Sequence, residues 1–302
     1  MHTFYIVDVF AEKKYAGNQL AVFRNAQDLS DAEMQAIARE TNFSETTFIL
    51  SDHSSDGGYD VRIFTPKSEL PFAGHPALGT AFIIKEQVIK KPVEAVTLNL
   101  GVGKIPVSFG NDQYLWMRQI NPTFHRQLSV DEVAPIFTLR KDDFDLRFPI
   151  EEVSTGLPFL IVPLKSLKTV VSIHVNLEKY YDWLYRAHPV LKSDPHSLVA
   201  TGFMVFCPEA AETGNHLHVR MFDDYFGVPE DPATGSGNGC LLGYLLHHNY
   251  FKKSELDLRV EQGYEIGRPS LLRIHGQKIG SDQFEIFVGG KVQMVAQGEW
   301  EQ

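Results

Sequence analysis

Three stretches of this sequence carry residue types that could do chemistry. The segment Asp231-Pro232-Ala233-Thr234-Gly235-Ser236-Gly237-Asn238-Gly239 joins small, flexible residues to two hydroxyls just before an apolar run. Glycines let a backbone approach a ligand closely and hydroxyls supply donors, so the segment suits a ligand-holding helix start as well as a plain helix cap. It lacks the lysine of a phosphate loop and the spaced glycines of a dinucleotide fingerprint. Glu69-Leu70-Pro71-Phe72-Ala73-Gly74-His75-Pro76 places His75 at the start of a second apolar run. The positive end of a helix disfavours an imidazolium, which makes His75 a neutral ring that hydrogen-bonds. No His or carboxylate stands at helical ligand spacing from it, so a metal site is a poor reading. Glu45, between Phe43 and Phe48, either faces solvent or is a buried carboxyl with its pKa raised toward neutrality, as proton transfer requires; on residue types alone the solvent-facing reading is the simpler.

The elements that must position these residues can be read from periodicity. Strands are expected over Phe4 to Phe10 and Leu20 to Phe23, joined by a turn at Ala16-Gly17-Asn18, and over Thr46 to Leu50 and Tyr59 to Phe64. Between the pairs, Ser30 and Glu33 form a capping box, and Met34, Ile37, Ala38 and Thr41 recur at helical spacing. Apolar helices are expected over Ala77 to Lys85 and Cys240 to His247, with His247 and His248 near or past the end of the second.

An internal repeat ties these elements together. Val61-Arg62-Ile63-Phe64 recurs 158 positions later as Val219-Arg220-Met221-Phe222. At the same offset Thr47-Phe48-Ile49-Leu50 falls on Val205-Phe206-Cys207-Pro208, a gapless register that sets Glu45 against Phe203. Each copy then runs through a glycine turn into an apolar helix, the second copy with three extra residues. The expected fold is α+β: two pseudo-symmetric units, each a mostly antiparallel, barrel-like sheet around a central helix. The two helix starts would face each other and aim free N–H groups at one anionic ligand. The units are placed at 1–115, with 281–302 returning to the first, and at 116–280.

Composition narrows the function classes. A formal net charge of −10, with no run of Lys or Arg longer than a pair, argues against a nucleic-acid or anionic-membrane partner. The first residues have no basic region and carry Asp8 within their apolar stretch, and no apolar run approaches the length of a membrane span. A cytoplasmic protein is therefore expected. Two cysteines, Cys207 and Cys240, do not suggest a disulfide framework or a Cys-rich zinc site.

The Phe4 to Phe10 strand with Ala16-Gly17-Asn18-Gln19-Leu20-Ala21-Val22-Phe23, the element Asn42-Phe43-Ser44-Glu45-Thr46-Thr47-Phe48, the run from Ile63-Phe64-Thr65-Pro66 to Gly74-His75-Pro76, and Asp231 to Ser236 together resemble the PhzF family of phenazine-biosynthesis proteins. The resemblance covers nearly the whole chain and its motifs occur in family order. It implies the diaminopimelate-epimerase-like fold and an isomerase that needs no metal or organic cofactor. The family's glutamate moves a proton on trans-2,3-dihydro-3-hydroxyanthranilate, and its match here is Glu45. His75, Asp231 and Ser236 match its other catalytic residues, while Asn18, Gly74, Thr234, Gly235 and Gly237 are expected against a small carboxylate substrate. A homodimer follows from the same resemblance. Racemases of this fold use two thiols, which would fall at Ala73 and Thr234; neither is cysteine. A non-catalytic metabolite- or partner-binding protein and an epimerase working without thiols remain the competing readings.

Overall fold

The computed structural model describes residues 1–110, 112–194 and 197–301. The chain is a mixed α/β structure built on a large sheet of 18 strands, and one pattern of strand pairing occurs in it twice. In the first half, β1 (His2–Val9), β2 (Asn18–Phe23), β3 (Glu45–Ile49), β4 (Tyr59–Phe64), β5 (Glu69–Leu70), β6 (Ala95–Leu100), β7 (Gly103–Phe109) and β8 (Leu115–Arg118) follow in order. The second half repeats them as β10 (Ile150–Ser154), β11 (Pro158–Pro163), β12 (Gly202–Cys207), β13 (Leu217–Asp223), β14 (Val228–Asp231), β15 (Glu255–Gln262), β16 (Ser270–Lys278) and β17 (Phe284–Gly290).

In both halves the first and second strands pair antiparallel, the second and third parallel, and the third and fourth antiparallel. The fourth strand pairs antiparallel with a short strand, β5 or β14, and parallel with the next long one, β6 or β15. Two antiparallel pairings complete each set. The halves are joined where β8 pairs with β17. Two further strands exchange places: β9 (Thr123–Leu128) pairs with β10 in the second half, and β18 (Val292–Trp300) returns to pair with β1 in the first.

The pairing corrects the gapless register expected from sequence. Thr46 lies opposite Phe64 in the first half, but Phe203 lies opposite Phe222 in the second. With Phe64 and Phe222 as counterparts, Thr46 therefore matches Phe203, and Glu45 matches Gly202. The third strand has slipped by one residue, since both registers bury apolar side chains on this twice-covered sheet and local pattern does not choose between them. Gly202 is glycine for a steric reason: a Cβ there would lie 3.0 Å from Asp223 Oδ2 and 3.2 Å from the Phe159 ring.

Helix α1 (Asp31–Thr41) starts at the expected capping box, Ser30 N–H donating to Glu33 Oε2 at 2.8 Å while Glu33 N–H returns to Ser30 Oγ at 3.3 Å. It buries Met34, Ile37 and Ala38 over β3 and β4. The two central helices begin earlier than their apolar runs suggested. Helix α2 (Gly74–Ile83) takes in the Gly-His-Pro turn and continues as a π-helical turn over Ile84–Ile89. Proline is tolerated in a first helical turn because its missing N–H has no intrahelical partner there. Helices α3 (Val130–Val133), α4 (Leu167–Val171) and α5 (Leu177–Ala187) cover the outer face of the second half. Helix α6 (Gly235–His247) likewise takes in the Gly-Ser-Gly-Asn segment, so His247 is its last residue and His248 its cap.

Nine of the ten residues of α2 are buried, as are the first twelve of α6. Helix α2 packs on β1, β2, β3, β6, β7, β8 and β18, and α6 on β10, β11, β15, β16 and β17. Helices enclosed on so many sides must be apolar all round, which is the pattern their sequences show. Among the described residues no helix is long and apolar enough to cross a membrane.

Candidate active site

Helices α2 and α6 meet start to start. A Cβ built on Gly74 would lie 3.2 Å from Ser236 N and 3.3 Å from Gly235 Cα, and one on Gly235 would lie 3.5 Å from Gly74 Cα. A side chain at Gly74 would crowd the facing helix end, whereas one at Gly235 would begin in ordinary contact. The first amide bonds inside the helices run from Ala77 N–H to the Ala73 carbonyl and from Asn238 N–H to the Thr234 carbonyl. The N–H groups of Gly74, His75, Gly235, Ser236 and Gly237 therefore have no partner within their own helices. Neither N-cap residue, Ala73 or Thr234, caps with its side chain, and neither first turn contains an acid. Two positive helix ends thus converge without an anionic side chain of their own.

The ionisable groups gather at this junction. Glu45, at the start of β3, keeps only 16% of its side chain exposed, and its Oε2 lies 3.3 Å from His75 Nε2. The two atoms are buried and close, yet misaligned for a hydrogen bond, and neither bonds elsewhere in the protein. Burial, with a smaller push from Asp231, raises the Glu45 carboxyl to about 8. Burial likewise lowers His75 to about 3, against a smaller opposing contact from the Gln19 backbone. Near pH 7 the contact is between a carboxylic acid and a neutral imidazole, so it is no ion pair. The solvent-facing reading of Glu45 is overturned, because β3 enters the sheet at this residue and turns the side chain inward.

Asp231, buried at the end of β14, is raised to about 7 by burial, opposed by hydrogen bonds from Thr234 and Asn18. Asn18 Nδ2 donates to Asp231 Oδ1 at 2.8 Å and to the Ala233 carbonyl at 3.0 Å, while the Thr234 hydroxyl donates to Asp231 Oδ2. The side-chain donors of both residues, expected against substrate, are thus spent within the protein, on Asp231 and the Ala233 carbonyl. Ser236 is buried at the second position of α6, and its carbonyl accepts from Thr155 Oγ1 at 3.4 Å. Gly237 packs against Met204, whose Cε would lie 3.0 Å from a Cβ at that position. Glu45 and His75 are therefore in contact, Asp231 is near enough to act on Glu45 electrostatically, Gly74 lies against Ser236 and Gly235, and Asn18 and Thr234 hold Asp231.

One residue absent from the sequence-based set belongs to this cluster. Gln262, the fully buried last residue of β15, bonds to both ends of the Asp231–Thr234 turn and to Asn238. The repeat held the signal for it. Strand pairing sets Leu98 and Asn99 of β6 where β15 has Val260 and Glu261, so Gln262 stands where the first half has Leu100. By the same alignment Asp231 stands where the first half has Leu70. Polar side chains present in one half alone mark the site on an otherwise repeated frame.

The sequence profile of the PhzC-PhzF family, described as phenazine biosynthesis-like protein, matches residues 7–298. The chain is 33% identical over 302 residues to the trans-2,3-dihydro-3-hydroxyanthranilate isomerase of Pseudomonas aeruginosa, covering 99% of each chain. It is 32% identical to an uncharacterised isomerase of Clostridium acetobutylicum, covering 99% of this chain and 97% of the relative. Among solved structures it superposes on a PhzF-family protein of Bacillus anthracis with a TM-score of 0.86 at 28% identity, covering 100% of this chain and 99% of the other. With matches that run from end to end, the chain belongs to the phenazine biosynthesis-like PhzC-PhzF family and is a PhzF-like isomerase.

Proposed function

We propose that this isomerase moves a proton between two carbons of a small, cyclic, carboxylated metabolite resembling dihydro-hydroxyanthranilate, with Glu45 as its acid/base and without a cofactor. The observation that carries the reading is a mostly buried carboxyl, whose Oε2 has no hydrogen bond, beside two helix starts without side-chain caps. The substrate carboxylate binds to the N–H groups of Gly74, His75, Gly235, Ser236 and Gly237, where the helix ends favour negative charge. Its ring then lies over Glu45.

In the first step ionised Glu45 takes a proton from a ring carbon, and the C–H electron pair stays in the substrate as an extended π system. In the second step the same carboxylic acid returns the proton to a different carbon, and the double bonds shift. A pKa of about 8 suits both roles, since the group must accept and then release one proton near neutrality. The neutral His75 ring and the Ser236 hydroxyl hydrogen-bond the substrate's polar groups, and Asp231 keeps the proton affinity of Glu45 high. The two-unit division, 1–115 with 281–302 and 116–280, forms part of the same proposal. The equal pairing of the halves and the return of β18 to β1 support it, except that β17 (Phe284–Gly290) pairs with β16 and so stays with the second half.

The test is incubation with trans-2,3-dihydro-3-hydroxyanthranilate in deuterated water, read by NMR. The reading predicts product that carries deuterium on one ring carbon to the extent that the proton on Glu45 exchanges with solvent before it is returned, and no product from the Glu45→Gln variant. Turnover that persists in that variant would remove Glu45 from the mechanism.

A further inference from the structure

The cluster behind Asp231 holds polar groups that the mechanism above does not use. Gln262 makes four hydrogen bonds, and their directions are fixed by chemistry. The Thr234 backbone N–H can only donate, so the atom 3.2 Å from it must be Gln262 Oε1, which also accepts from Asn238 Nδ2 at 3.0 Å. The Asp231 backbone carbonyl can only accept, so the atom 2.9 Å from it must be Nε2. The remaining Nε2 hydrogen then points at Thr234 Oγ1, 2.9 Å away. A hydroxyl that accepts from Gln262 has its own proton free to turn to Asp231 Oδ2, the contact it makes. Asn18 supplies the other oxygen of Asp231. Both oxygens of Asp231 thus accept hydrogen bonds, which favours the carboxylate, while Glu45 Oε2 has none and favours the acid.

We infer that Gln262, acting through the Thr234 hydroxyl, is a positioning residue that favours the ionised form of Asp231 and thereby raises the proton affinity of Glu45. The inference rests on the proposed role of Glu45 and deepens it. Other charges around Asp231 are few. Glu230 is its neighbour on β14 and is ion-paired to Arg220 at 2.7 Å; Asp223 lies on β13, with both oxygens accepting from Thr201 Oγ1; and His75 faces Glu45 from α2. None of these bonds to the Asp231 carboxylate. Pairs of carboxyls whose surroundings divide their proton affinities in this way are how a single fold assigns acid and base roles. That asymmetry is absent from the repeat, which has Leu100, Leu70 and Ala73 at the places of Gln262, Asp231 and Thr234.

The test is a carbon-13 NMR titration of the full chain labelled at Asp and Glu side-chain carboxyls, with signals assigned through Asp231→Asn and Glu45→Gln. In the wild type Asp231 should titrate below Glu45. In Gln262→Met and in Thr234→Val, Asp231 should rise by about one pH unit and Glu45 should fall, because a hydrogen bond to the charged form is lost. Thr234→Ser, which keeps the hydroxyl, should leave both unchanged, and the pH limb of kcat/KM should follow Glu45 in each variant. Unchanged titrations in folded Gln262→Met, or in Thr234→Val should the former not fold, overturn the role of the donor chain while leaving Glu45 as acid/base intact. A Glu45 already ionised well below pH 7 in the wild type would instead overturn the proposed mechanism, and this inference with it.

Discussion

Glu45→Gln should make the protein inactive and, near neutral pH, more stable. Glutamine keeps the size of the side chain and removes its titration. In the wild type the carboxyl is held at about 8 by burial, against 4.5 in the unfolded chain. A group whose folded pKa is raised contributes stability that is fully present below the unfolded value, here about 4.5, and is lost as pH rises through the folded value, here about 8. Each unit within that window is worth about 1.4 kcal/mol. By pH 7 the wild type has therefore given up roughly 3 kcal/mol that the glutamine variant has not. Urea unfolding of both proteins at half-unit steps from pH 4.5 to 9 checks this. The difference between them should be near zero at the acid end, widen by about 1.4 kcal/mol per unit, and level off above pH 8. Subtracting the two curves removes the titrating groups that do not sense Glu45; Asp231, which does, adds only the change in its own titration. A difference that stays flat would mean that Glu45 is hydrated and ionised in the native state, and the reasoning from burial to acid/base function would fail.

Three further expectations follow from the same geometry. For a reaction that begins with proton removal, kcat/KM should fall as pH drops below about 8, the ionisation of Glu45 in the free enzyme; a profile that falls upward through the same pH would make the acid form the starting one. His75 is held neutral down to about 3, so His75→Gln should lower kcat by about 10² or less without removing any limb of the profile between pH 5 and 9; loss of a limb would show that the ring itself titrates there. Gly74→Ala inserts a methyl 3.2 Å from Ser236 N, which should push the helix starts apart, cost about 1–3 kcal/mol in urea unfolding, and raise KM more than it lowers kcat. An unchanged KM in that variant would count against carboxylate binding at the junction.

Local chemistry is legible in this sequence wherever neighbouring residues decide it. The Ser30–Glu33 capping box starts α1 where the pattern placed it, because both partners lie within one turn. The apolar character of α2 and α6 announced their enclosure, though the helices absorb the glycine turns that seemed to precede them, since low helix propensity yields to packing once no side chain obstructs it. The repeat was legible as well, but its register was not. A one-residue slip between β3 and β12 leaves every local apolar pattern acceptable, and only the cross-strand partners Thr46–Phe64 and Phe203–Phe222 reveal it.

By itself the sequence determined the frame: two strand-and-helix halves, glycine at the two helix starts, and the motifs that the PhzF resemblance carries, including Glu45, His75 and Asp231. The tertiary structure decided what those residues are. Glu45 and Asp231 stand 186 positions apart, and whether either carboxyl is charged depends on the water that β3, α2, β14 and α6 jointly exclude and on donors arriving from Asn18, Thr234 and Gln262. Desolvation and hydrogen-bond direction are properties of the assembled neighbourhood, and no stretch of chain carries them alone.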